Sequence, residues 1–477
     1  MAPVLRWVGA AALVAPVYGG RHTLRTTLRQ APVEPSLCGN PESPVEQLSG
    51  YFQIKDDISV DKNYFYWFFE SEDDPSNDPV ILWLTGGPGC SSTLALFVEN
   101  GPCTVDADGK STTPRAESWN TRANVIWVDQ PAGVGFSYAG TDADYDHNEE
   151  EVGEDMYWFL REFLAANPKY AANDFYVFGE SYGGHYAPAV SHRVWHGNKD
   201  QQGAAAPAII NLKGVGIGNG LTAPSIQYSY YSKMATDNPY GIQAVSAEAA
   251  ESMRAHEPPC VELIELCAQD DSTCSTAQTY CDSFVTQRYY ETGLNPYDIR
   301  LPCGEADLCY DFTAVEKFLR LDSTRAALQV TEESAPWESC NNKVNADFSG
   351  DWMKAFDGYL PPMLKDGISV LIYAGDCDFI CNFLGNEAWT LALEWEGKEG
   401  FNSAPEEDWV PDIAGLGGDT AGKLRTYGGL TFLQIFEAGH MVPMDQPAMG
   451  LSMLHQFTHG DGFERHGKGA PAATAQA

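Results

Sequence analysis

The chain has 477 residues, 44% of them hydrophobic and 12% aromatic, which is enough to bury a large core. Its formal net charge of −37 and pI near 4.4 argue against nucleic acid or an anionic membrane as partner, and suit solubility in acidic surroundings. By length, one large α/β domain with an insertion fits as well as two or three domains.

The chain opens on "MAPVLRWVGAAALVAPVYGG", an early Arg6 followed by a short apolar stretch and small residues. Residues 1–19 read as a secretory signal peptide, because the apolar part is too short for a bilayer. Residues 20–36, with Arg21, His22, Arg25 and Arg29, read as a short pro-segment. No later segment has the roughly 20 uninterrupted apolar residues of a membrane helix, so no stable membrane insertion is expected.

Six short apolar, β-branched runs follow, each ending in a Gly-rich or polar turn: "VILWL" (80–84), "NVIWV" (124–128), "DFYVF" (174–178), "LKGVGI" (212–217), "SVLIYA" (369–374) and "LTFLQIF" (430–436). Helix-like stretches separate several of them. In "EEVGEDMYWFLREFLAANPKY", Val152, Met156, Phe159, Leu160, Phe163 and Leu164 form one apolar face, with acids at its start and Pro168 just past its end. Strands alternating with helices predict an α/β fold with a mostly parallel sheet. That core spans residues 37–221 and 365–460. Residues 222–364 break the rhythm and read as a cap inserted over the C-terminal edge of the sheet, where α/β proteins bind ligands. The small, polar tail 461–477 reads as disordered.

Seven of the twelve cysteines lie in the insertion, and an exported chain so rich in cysteine suggests disulfides. Cys260, Cys267, Cys274 and Cys281 are spaced by seven, about two helical turns. Two antiparallel helices would give the rungs Cys260–Cys281 and Cys267–Cys274. Zinc is the rival, but these four lack the C-x2-4-C knuckles of zinc sites, so no metal is expected. No Asn-x-Ser/Thr sequon occurs, so N-glycosylation is not expected either.

The chemistry begins at "VFGESYGGHY" (177–186). Gly179-Glu180-Ser181-Tyr182-Gly183 fits the G-x-S-x-G nucleophile elbow, a crowded strand-to-helix turn in which a Cβ at either flank would clash. A serine needs a base and a third group that orients the base. In the order Ser, Asp, His, Ser181 follows "FYVF", Asp378 follows "VLIYAGDC" and His440 follows "FLQIFEAG". The corner "TGGPGCSS" (85–92) follows "VILWL", and Gly87 N–H and Tyr182 N–H are the expected oxyanion donors.

"GGPGCSS", "DQPAGVGFSY", "GESYGGHY", "IGNGLT", "GDWMK", "YAGDCDFICNFLGNEAW" and "GHMVPMDQP" resemble the serine carboxypeptidases (peptidase family S10), most closely the carboxypeptidase Y-like branch, from about Gly50 to Gly460. The resemblance implies an α/β-hydrolase fold with a cap. It implies release of single residues from the C-termini of peptides or proteins, best at acidic pH, without a cofactor. Ser181 would be the nucleophile, His440 the base and acid, and Asp378 its orienter. Glu180 and Glu70 would grip the substrate carboxylate together with Thr85 and Gly86. The grip requires Glu180 to be protonated, since two carboxylates cannot sit together charged.

Where the family corner reads Asn-Gly-Gly-Pro-Gly, this chain has Thr85, and where the branch has a further cap cysteine it has Thr236. The same matching implies Cys38–Cys103, Cys90–Cys340 and Cys303–Cys309, and leaves Cys377 and Cys381 free. Tyr228, Tyr231, Trp352, Ile380 and Cys381 would surround the penultimate side chain, and Tyr297, Tyr310 and Met441 the terminal one. Such walls favour hydrophobic residues, with no charge expected to select Lys or Arg. An acyltransferase or esterase on the same scaffold and a catalytically silent binding protein are the alternative readings. Secretion is the expected destination, with a vacuole or other acidic lumen as alternative; the sequence does not speak to oligomeric state.

Overall fold

The computed structural model describes residues 25–56, 60–200, 210–306, 308–412, 418–460 and 463. The six apolar runs form the strands Val80–Thr85, Asn124–Val128, Phe175–Glu180, Leu212–Gly218, Ser369–Gly375 and Leu430–Ile435. All six are parallel and adjacent; across the sheet they follow the order 124–128, 80–85, 175–180, 212–218, 369–375, 430–435. Their runs are nearly continuous because both faces are covered. Val80, Leu82, Leu84 and Val177 enter one core, while Ile81, Trp83 and Phe178 enter the other.

Antiparallel strands complete the twelve-stranded sheet. Asp61–Phe69, Gln47–Lys55 and Arg25–Pro32 extend it beside Asn124–Val128, with Tyr138–Ala139 paired to Asp61–Phe69; Gly422–Tyr427 and Glu407–Trp409 extend the other side. Arg25–Pro32 lies within the stretch 20–36 that reads as a pro-segment. It pairs along its whole length with Gln47–Lys55, and Thr26 donates to Glu162 at 2.5 Å, so from Arg25 onward this stretch is part of the sheet. The expected signal peptide 1–19 lies outside the described residues. Of the tail 461–477 only Phe463 is described, and it is buried beside Phe457.

The predicted amphipathic helix is Glu149–Ala166, capped by the Asn148 side chain, which accepts from Glu151 N at 3.0 Å. Its six apolar residues are buried. The helix Gly183–Asp200 follows Ser181 and packs against it.

Most of 222–364 is helical, with a small hairpin of Leu294–Asn295 and Asp298–Pro302. The helices Ala247–Cys267 and Cys274–Cys281 are joined by Cys260–Cys281 and Cys267–Cys274. Cys38–Cys103, Cys90–Cys340 and Cys303–Cys309 are the other bridges, and Cys90–Cys340 ties the corner after Val80–Thr85 to the insertion. Thr236 donates to Ser232 O within the short helix Tyr231–Thr236. Among the described residues no helix is long and apolar enough to cross a membrane.

Candidate active site

Parallel strands deliver their C-terminal ends to one edge of the sheet, and the candidate residues sit there. Ser181, between Phe175–Glu180 and Gly183–Asp200, has φ +63°, a left-handed conformation costly for a side-chain-bearing residue. Its N–H donates to Gly218 O at 3.1 Å, and its carbonyl accepts from Gly184 N and Leu221 N, both at 2.9 Å. The turn closes only because Gly179 and Gly183 touch; a Cβ on Gly179 would collide with Gly183 O.

Asp378 is fully buried, and its Oδ2 accepts from His440 Nδ1 at 2.8 Å, Asn219 Nδ2 at 2.9 Å and Cys381 N at 3.2 Å; its Oδ1 accepts from Ile380 N at 3.0 Å. A carboxylate so surrounded by donors stays in place. Donation from Nδ1 leaves Nε2 of His440 as the ring acceptor, and His440 shares one pocket with Ser181. Backbone His440 N is tied to Tyr297 O at 2.8 Å, so the insertion hairpin holds the histidine loop. Asn219, in "IGNGLT", is a functional residue that the spacing of the triad does not reveal. Its Oδ1 accepts from Gly375 N at 2.9 Å, so Asn219 ties two neighbouring strand ends together while its Nδ2 holds Asp378.

The Gly86–Gly87 corner lies against the elbow so closely that a Cβ on Gly86 would collide with Tyr182 N. Neither Gly87 N–H nor Tyr182 N–H donates to another group among the described residues, and both residues line the pocket. The Tyr182 ring is fixed by stacking on His185 at 4.3 Å between centroids.

Thr85 pairs in register with Glu180 across the two strands. Its Oγ1 accepts from Trp83 Nε1 at 2.9 Å, which leaves its own O–H free to donate. Glu180 is buried, and burial with nearby Glu99 raises its pKa well above the ordinary carboxylate range. Glu99 lies close to Glu180, and burial pushes its own pKa up to about 7. The pair is therefore protonated in mild acid and presents no net repulsion to an anion.

Glu70 is not part of this group. It follows Asp61–Phe69, which runs antiparallel to its neighbour, so Glu70 emerges at the opposite edge of the sheet. There its Oε1 accepts from Lys169 Nζ and Tyr170 OH, both at 2.8 Å. The acid beside Glu180 is Glu99, on the π-helical turn Leu96–Asn100. It is the one charged residue in the apolar run "LALFVENG", a signal that could have found it.

Tyr228, Tyr231, Trp352, Ile380, Cys381, Tyr297, Tyr310 and Met441 all line the same pocket. Burial raises the Cys381 thiol pKa well above normal, which makes it a poor nucleophile. Cys377, also free and buried, contacts Asp376 instead of the pocket. Asp282, beside Tyr228, also lines this part of the pocket.

The family model for serine carboxypeptidases matches residues 35–460. The chain belongs to the serine carboxypeptidase family. It is 42% identical over 440 residues to carboxypeptidase Y homolog A of Leptosphaeria maculans, covering 91% of this chain and 77% of that protein. It is also 42% identical over 423 residues to carboxypeptidase Y of Candida albicans, covering 87% and 74%. A crystal structure of Kex1(delta)p, a prohormone-processing carboxypeptidase from Saccharomyces cerevisiae, superposes with a TM-score of 0.79 at 25% identity, covering 89% of this chain and 94% of that one. The fold is the α/β-hydrolase fold, and the protein is a serine-type carboxypeptidase acting on peptides.

Proposed function

We propose that Ser181, His440 and Asp378 release single residues from peptide C-termini through an acyl-enzyme, and that Glu180 and Glu99 select the free end. The observation that carries this reading is the Asp378–His440 hydrogen bond at 2.8 Å in one pocket with Ser181 and the Glu99–Glu180 pair.

Ser181 Oγ attacks the last peptide carbonyl while His440 Nε2 takes its proton; Asp378 holds the imidazolium that forms. The developing oxyanion accepts from Gly87 N–H and Tyr182 N–H. His440 then returns the proton to the departing amino group, and water repeats the cycle to free the shortened peptide. The protonated Glu99–Glu180 pair, with Thr85 O–H, donates to the terminal carboxylate. Ionisation of Glu99 as pH rises through about 7 puts a negative charge beside that carboxylate, which gives preference for acid a physical source.

The largely apolar, aromatic walls support hydrophobic side chains in both positions. Five disulfides support an oxidising location, outside the cell or in an acidic lumen. The test is a pair of N-blocked dipeptides, one with a free C-terminus and one amidated. Release of the terminal residue from the free acid, strongly favoured over the amide at acidic pH, is the expected result. Equal turnover of both would overturn the carboxylate grip.

A further inference from the structure

Asp282 is an acid in an otherwise aromatic corner of the pocket. It opens the π-helical turn Asp282–Thr286 directly after Cys281, whose bridge to Cys260 fixes the start of that turn. Around it stand Tyr228, Tyr231, Tyr290 and Trp352. Its hydrogen-bond partner is Tyr228 OH at 3.5 Å, the outer limit of such a bond, and Tyr228 OH also accepts from Trp352 Nε1 at 3.3 Å. Among the described residues no Lys or Arg lines the pocket to neutralise the carboxylate.

The two acidic features of the pocket belong to different ends of a bound peptide. Glu180 and Thr85 end neighbouring strands, with Glu99 close to Glu180. Asp282 lies with Tyr228, Tyr231 and Trp352, the group assigned to the penultimate side chain. We infer that Asp282 is a specificity-determining residue that admits Lys or Arg as the penultimate residue of the substrate, an inference that rests on the carboxypeptidase reading above. The aliphatic stem of a Lys or Arg would lie along the Tyr228, Tyr231 and Trp352 rings, and its cationic head would end at the Asp282 carboxylate. A leucine would use the rings alone, so one pocket serves both classes.

Acidity gives the inference its signature. Burial raises the Asp282 pKa to about 6. The titratable groups that face it are the Tyr228, Tyr231 and Tyr290 hydroxyls, all pushed upward and neutral below pH 8. The carboxyl therefore changes charge between about pH 5 and pH 7 while those hydroxyls do not; His256, on the helix packed against this turn, stacks on Phe284 at 4.9 Å between centroids. The terminal grip also titrates there, but a ratio of two substrates sharing one terminal residue cancels it.

The experiment measures kcat/KM for N-blocked Lys-Leu and Leu-Leu dipeptides at pH 5 and pH 7, in wild type and Asp282→Asn. The Lys/Leu ratio is expected to rise several-fold, up to about tenfold, from pH 5 to pH 7 in wild type. It should fall about ten- to a hundredfold on substitution, as loss of a charge-assisted hydrogen bond implies, and lose its pH dependence. A ratio that is flat with pH in wild type, or unchanged by Asp282→Asn, overturns the assignment while leucine release leaves the carboxypeptidase reading standing. Wild-type protein that cleaves neither dipeptide overturns both. The wild-type pH profile needs no variant, so it decides the matter even if Asp282→Asn fails to fold.

Discussion

Glu99 and Glu180 lie close together and buried, and the Oε2 of each has no hydrogen-bond donor among the described residues. Buried acceptors left unpaired are costly, so a carboxyl pair held this way favours its protonated form. As pH rises through about 7, Glu99 ionises and the KM for free-carboxylate peptides should climb, by up to about tenfold per pH unit. Glu99→Gln keeps the shape and removes that ionisation, so the climb should move to higher pH. KM–pH profiles of both proteins check this; identical profiles would assign the loss to another group.

Ser181 should show a conflict between activity and stability. Ser181→Ala is expected to abolish turnover and labelling by a fluorophosphonate while preserving the fold, because only the attacking oxygen is lost. Ser181→Gly should be equally inactive yet more stable by about 1 kcal/mol, since glycine adopts φ +63° without the Cβ penalty. Thermal melts of the two variants separate backbone strain from chemistry. A glycine variant no more stable than the alanine one would mean that the elbow stores no strain.

Glu149 is buried beside the Tyr182 hydroxyl, and its own N–H donates to Asp351 Oδ2 at 2.9 Å. Burial first, and then the Asp351 charge, raise its pKa well above the ordinary value. A folded-state pKa above the unfolded one gives stability that is complete below the ordinary glutamate range and is lost as pH rises towards the folded value. The slope is about 1.4 kcal/mol per pH unit for one proton. Glu149→Gln should match wild type near pH 4 and exceed it in denaturant melts at pH 8. A difference that is absent near pH 4 and has opened by pH 8 is the check.

Tyr240, from the insertion, donates to Asp376 Oδ1 at 2.6 Å and accepts from Glu437 N at 2.8 Å. Asp376 lies two residues before Asp378, and Glu437 three before His440, so one hydroxyl braces both catalytic loops. Glu437 also has φ +56°, a conformation that needs such support. Tyr240→Phe should lower kcat several-fold, up to about tenfold, with KM little changed. A change in KM alone would place Tyr240 at the substrate and not behind the loops.

The parallel strands were legible because burial on both faces writes them as unbroken apolar runs, and the triad was legible because each member directly follows such a run. Arg25–Pro32 was not. An edge strand with Arg25, Arg29 and Gln30 carries too few apolar residues to stand out from a leader. Glu70 failed for a topological reason: a motif match cannot tell which way an antiparallel neighbour runs. Asp282 was invisible because a helical turn facing a pocket has no sequence period of its own, and only the folded insertion shows which side of it meets Tyr228.

Thr85 is where this chain differs from its family at the recognition site, and the structure sharpens what that difference does. Its oxygen is committed to Trp83 Nε1, whereas its hydrogen remains available towards Glu180 or the substrate. A single O–H on a short side chain donates once and reaches less far than an Asn NH2, which donates twice. Thr85→Asn should therefore strengthen the hold on a terminal carboxylate by one charge-assisted hydrogen bond. That bond is worth on the order of 1.5–3 kcal/mol, about ten- to a hundredfold in kcat/KM. Amide and ester substrates without that carboxylate should change little. Trp83 Nε1 should keep its acceptor if the Asn carbonyl turns towards it, so the variant is expected to fold as wild type does. If both substrate classes improve together, Thr85 acts through Gly86 and Gly87 on the oxyanion corner. If neither improves, the Thr85 hydroxyl already makes the bond, and Thr85→Val should then lower kcat/KM for the free acid alone.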